Sequence, residues 1–147
     1  METADFLTYA ENTLDYGIMG VLLLMSVVTL WLFIERLMFY KSVRVEEYTS
    51  KDELELDLSD NLSVISAIGA NAPYVGLLGT VIGIMLTFYS LGDIGAVDAK
   101  KIMMGLALAL KATALGLVVA IPAISFYTIL LRKMERIVTM FDIKKEK

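Results

Sequence analysis

With 147 residues, no cysteine, no histidine and a formal net charge of −4, the chain has no means of disulfide, thiol or imidazole chemistry and lacks the commonest metal ligands. Hydrophobic residues make up 57% of it and its mean hydropathy is +0.68, more apolar surface than a soluble domain of this size can hide. The acidic balance argues against nucleic acid as a partner, no P-loop or dinucleotide-binding glycine motif is present, and neither metal nor cofactor is expected. The solvent implied is lipid.

The first fifteen residues (METADFLTYAENTLD) are acidic and lack the basic start of a signal peptide, so the apolar segment after them is expected to be retained. Tyr16 to Ile34 carries no charge and ends in Glu35-Arg36; about 20 such residues cross a ~30 Å hydrocarbon core as a helix. A first transmembrane helix is expected over residues 16–40. Residues 41–60 alternate charged with apolar positions and read as a surface helix or loop lying against the membrane ends of the helices, in a connection expected over 41–63.

Asn61 to Gly92 is uncharged for 32 residues, and Ala112 to Leu131 for 20, with Ile102 to Leu110 extending the latter past Lys111. These predict a second span over 64–92 and a third over 99–131, joined by a turn at 93–98 into a long antiparallel hairpin that extends into the cytoplasm. The tail, 132–147, keeps Met134, Ile137, Val138 and Phe141 near helical spacing and reads as a continuation of the third helix packed on a neighbour. None of the apolar stretches shows the alternation of a barrel wall. The class expected is therefore an all-α integral membrane protein with three transmembrane helices in one domain.

Lysine and arginine set the orientation. Residues 1–15 have none, whereas Arg36, Lys41, Arg44 and Lys51 fall in the segment from Glu35 to Asp60 and Arg132, Lys133, Arg136, Lys144, Lys145 and Lys147 follow the third span. The N-terminus and the turn are expected in the periplasm, the loop and tail in the cytoplasm. Lys100 and Lys101 are the outvoted dissenters.

Counting from the turn, Thr80, Lys111 and Thr113 fall at one depth, roughly 20 Å below the outer surface, which predicts a polar layer near mid-membrane. Ala72, Gly76, Gly79 and Gly83 on the second span, with Gly116 and Ala120 on the third, permit close helix approach. Packing alone accounts for these small residues, and a bond to the carbonyl four residues earlier accounts for each threonine hydroxyl. Lys111 is harder to place. A lysine at that depth costs about 2.5–3.5 kcal/mol, the uncharged runs of its hairpin hold no carboxylate, and it points about 200° away from Thr113. Its expected partner is water, a backbone carbonyl or an acid from another chain. Pro73 and Pro122 each remove a backbone hydrogen bond and are expected to kink their helices.

Asn71–Phe88 (NAPYVGLLGTVIGIMLTF) and Leu108–Tyr127 (LALKATALGLVVAIPAISFY) resemble the hallmark segments of the ExbB/TolQ/MotA family, most closely the APxxGLxGTVxGIM and ATAxGLxVAIPA patterns of its ExbB branch. The resemblance implies a proton-channel subunit of a bacterial inner-membrane motor, assembled as a homo-oligomer, typically a pentamer, around a single-span ExbD-like partner. Such a motor uses the proton gradient to drive a TonB-like protein in uptake across the outer membrane, and is not an enzyme. It also implies that Thr80 and Thr113 line the pore. The chain departs from the family in having Leu108 where a glutamate is usual, and Lys111 is expected to take over that electrostatic niche. It departs again in its short cytoplasmic loop. A TolQ-type motor subunit for envelope maintenance and a non-conducting scaffold are the alternatives. A small solute transporter would call for a repeat or a polar cavity, and neither is visible.

Overall fold

The computed structural model describes residues 2–92 and 98–147, with side chains from Asp5 onward; the expected periplasmic turn lies, apart from Asp98, outside the described residues. Among the described residues there are four α-helices, α1 (Glu2–Ser42), α2 (Lys51–Ser59), α3 (Leu62–Gly92) and α4 (Ala99–Lys145), with one 3-10 turn, Val45–Glu47, between α1 and α2. Three of them, α1, α3 and α4, are long and apolar enough to cross a membrane. Large apolar side chains such as Leu23, Trp31, Val118 and Ile121 stand about two-thirds exposed on their outer faces. Water would not tolerate that display, but acyl chains do. The chain is a multi-pass membrane protein.

The elements run further than the apolar runs alone. Helix α1 starts at Glu2, so residues 5–15 are an N-terminal extension of the first span and not a separate segment. Helix α4 has 47 residues, roughly 70 Å at 1.5 Å per residue, and its last four turns leave the apolar region altogether. Both α3 and α4 continue through Pro73 and Pro122.

Beyond the ends of the spans where α1 finishes and α3 begins, α2 closes the bundle. Ser50 caps it by accepting from the Glu53 amide, and Glu53 in turn accepts from the Thr49 amide and hydroxyl, a reciprocal cap that satisfies free N-terminal donors. Leu54 and Leu58, one turn apart, are fully buried in a cluster with Tyr40, Leu62, Ile65, Leu130, Val138 and Phe141. The C-terminal end of α2 is held from α1. Arg36 Nη1 donates to the Asp57 carbonyl at 2.9 Å and the Tyr40 hydroxyl to the Leu58 carbonyl at 2.6 Å, a cation and a donor where a helix presents free carbonyls. Glu35 chelates the same guanidinium through two 2.6 Å bonds. Asn61, at φ 62°, makes the left-handed turn into α3, a conformation that Asn tolerates better than most residues.

The tail therefore packs on its own chain. Besides Val138 and Phe141 in the core, Lys51 pairs with Asp142 at 2.8 Å and Lys144 with Glu46 at 2.6 Å, while Lys145 donates to the Thr49 carbonyl. The sequence pattern revealed an apolar stripe but not which chain covers it.

Candidate functional site in the hairpin seam

The seam between α3 and α4 is built from small residues recurring every three to four positions, the spacing that keeps one helix face on its partner. A methyl group at Gly76 would lie 2.6 Å from the Ala112 carbonyl oxygen, one at Gly79 2.7 Å from the Ala112 methyl, and one at Gly116 2.7 Å from the Ala72 carbonyl oxygen. These distances are too short for any side chain, so the two backbones touch. Ala72, Gly76, Gly79 and Thr80 on α3 and Ala109, Gly116 and Ala120 on α4 are all buried there. At Gly83 the fit is looser, 3.0 Å to the Ala109 methyl. Gly76, Gly79, Gly83 and Gly116 thus stand at this contact, and Ala72 and Ala120 are buried together with Leu22 of α1.

This close approach brings the two threonines together. Thr80 Oγ1 donates to the Ala109 carbonyl of α4 at 2.9 Å, with the Gly76 carbonyl at 3.4 Å, and it makes a short contact with Thr113 Oγ1. Thr113 Oγ1 also lies 3.5 Å from the Gly76 carbonyl. Each hydroxyl has one proton and two acceptor sites, so Thr80 satisfies the Ala109 carbonyl and Thr113 donates to Thr80 or to Gly76. Thr80 is buried and Thr113 half-buried, which leaves the pair accessible from the Thr113 side. Two turns further out, Thr87 occupies the space left by the missing side chain of Gly105 and donates to the Gly83 carbonyl at 2.8 Å. Sequence reading missed Thr87 and Gly105, although the seven-residue step from Thr80 to Thr87 puts both threonines on one face.

Lys111 does not join the pair. It is exposed and lines a narrow cleft between α1 and α4 with Asp15, Ile18, Met19, Leu108, Ala112 and Leu115. Asp15 of the same chain lines that cleft too, an acid beside the three partners the sequence left open for Lys111: water, a backbone carbonyl or an acid of another chain. Glu11 lies one turn further out on α1 and faces Gly83, Leu86, Gly105 and Leu108. The register of α1 explains both. A methyl on Gly79 would stand 2.9 Å from Ile18, so the threonine layer lies level with the Tyr16 end of the uncharged run of α1, Tyr16 to Ile34, and not with its middle. The hairpin reaches past that run, and its part from Gly83 and Gly105 on lies against the acidic extension of α1.

Three membrane-length helices, two of them locked by glycine contacts around a hydroxyl pair, define a polytopic helical membrane protein with a polar seam. The chain belongs to the MotA/TolQ/ExbB proton channel family, whose sequence model matches residues 32–143. It is 57% identical over 124 residues to the biopolymer transport protein ExbB of Aquifex aeolicus, covering 84% of each chain. It is 52% identical over 135 residues to the ExbB of Helicobacter pylori, covering 92% of this chain and 93% of that one. With the ExbB of Salmonella typhimurium the identity is 44% over 70 residues, which is 48% of this chain but 29% of the relative. The Aquifex aeolicus and Helicobacter pylori relatives are thus of about the same length as this chain.

Proposed function

We propose that this chain is the channel subunit of an inner-membrane motor that uses the proton motive force to energise TonB-dependent uptake. Copies of it, five on the family pattern, surround the single-span helix of an ExbD-like partner, and the assembly acts on a TonB-like protein. The observation that carries this reading is the Thr80–Thr113 pair, two hydroxyls from adjacent spans brought together in a glycine-lined seam and accessible on the Thr113 side. Such a pair can pass a hydrogen bond to a titrating group on a partner helix without holding a charge itself.

In this reading the N-terminus faces the periplasm, and α2 with the tail forms a cytoplasmic collar. The hairpin offers no carboxylate of its own beside the pair, so the proton carrier is an acid of the partner helix. One charge falling through 100 mV releases about 2.3 kcal/mol, so a few protons suffice for a conformational step.

The test is co-purification with the single-span protein, carrying a photo-crosslinking residue in place of Thr113. Transfer of label to the partner helix supports the reading. Label found only on lipid or on other copies of this chain refutes it.

A further inference from the structure

The cleft at Lys111 opens into a larger apolar groove, with a cavity volume of about 440 Å³, lined by Tyr16, Met19, Gly20, Leu23, Ser26 and Val119 among others. Met19 and Leu115 line both, so the two are continuous. The lining is almost wholly hydrocarbon and opens sideways between α1 and α4. At its outer end alone stand two opposite charges, the Lys111 ammonium and the Asp15 carboxylate. From Asp15 to Ser26 is eleven residues of helix, roughly 16 Å at 1.5 Å per residue, about half of a ~30 Å hydrocarbon core. That is the depth of one leaflet.

We propose that this groove holds one phospholipid whose headgroup carries both a phosphate and a primary ammonium, with an acyl chain laid along α1 and α4 toward Ser26. Lys111 donates to the phosphate, and Asp15 accepts from the headgroup ammonium. A headgroup lacking the ammonium leaves Asp15 facing a phosphate, and one with a quaternary amine has no N–H to give it. The role found for Lys111 is thus lipid anchorage at the outer end of α1. Occupancy depends on α1 and α4 crossing a bilayer and on nothing at the threonine pair.

The experiment is native mass spectrometry of the full chain, delipidated in detergent and then offered dioleoyl phosphatidylethanolamine, phosphatidylcholine or phosphatidylglycerol. Wild type is expected to retain one phosphatidylethanolamine per chain in preference to the other two. Lys111→Met should weaken that retention at least about tenfold, the loss expected for a charge-assisted hydrogen bond, and Asp15→Asn should abolish the preference over phosphatidylglycerol. A side chain added at Gly20, where a methyl meets nothing within 4 Å, fills the groove without disturbing the fold, so Gly20→Leu should remove the bound lipid. Gly17→Leu, equally unobstructed but off the groove, should leave it in place. Equal retention of all three lipids, or retention by Gly20→Leu, overturns the proposal. So does a change in oligomer mass for Gly20→Leu with lipid unchanged, which would mean that a second copy of the chain fills the groove.

Discussion

Gly76 and Gly116 face each other across the hairpin so closely that a methyl group on either would lie 3.1 Å from the α-carbon of the other. Backbone stands on both sides of the contact, and backbone cannot swing away as the tip of a side chain can. Gly76→Ala and Gly116→Ala are each expected to cost about 1–3 kcal/mol, the range for overpacking a closed interface. Thermal unfolding in detergent, followed by circular dichroism, should show a lowered midpoint for both and an unchanged one for Gly17→Ala.

Tyr40 is buried and its hydroxyl holds the Leu58 carbonyl at the end of α2. Tyr40→Phe keeps the ring and orphans that carbonyl, so a loss of about 1–3 kcal/mol is expected. Limited proteolysis in the 43–61 connection should accelerate in this variant while the spans stay intact.

Thr29 presents the opposite case. Its Oγ1 is buried without a hydrogen-bond partner, so Thr29→Val removes a desolvated hydroxyl at nearly constant volume. A gain of about 1 kcal/mol is expected, read as a raised unfolding midpoint.

The clasp between connection and tail should depend on pH at both ends. The Lys144 ammonium bonded to Glu46 holds that carboxyl below its usual range. Its contribution is present above the unfolded carboxylate value of about 4.3 and is lost as pH falls below it through the folded one. Bonding to Asp142 raises the Lys51 ammonium, so its contribution is present below the unfolded value and is lost as pH rises past about 10.5. Amide protection in the last two turns of α4, taken relative to the intrinsic exchange rate at each pH, should be highest between those limits. Both groups are exposed, so the protection should also weaken in high salt.

How far the sequence foretold this molecule depends on how local each signal is. The three spans follow from uncharged runs, and the seam from small residues at helical spacing, because both are properties of one or two adjacent helices. The pairing of Thr80 with Thr113 was reachable by counting from a short turn. Asp15 beside Lys111 was not, since the height of α1 against the hairpin is set by packing of Ile18 and Leu22 that no nearby motif encodes. Arg36 illustrates a different limit. As a charge after an apolar run it served only to orient the chain, whereas in the fold it is buried and holds the end of α2.

The central claim is that the hydroxyl of Thr113 works in ion-driven transport and does more than pin two helices together. It is tested most directly by measuring proton-gradient-dependent uptake of an outer-membrane receptor's ligand by Thr113→Val and Thr113→Ser, with Thr128→Val as a control whose exposed hydroxyl only reaches the Ile124 carbonyl. A fall of about fivefold to tenfold is expected for valine, with recovery by serine, no change for the control, and normal assembly in all three. Wild-type uptake by Thr113→Val in a normally assembled complex would contradict it.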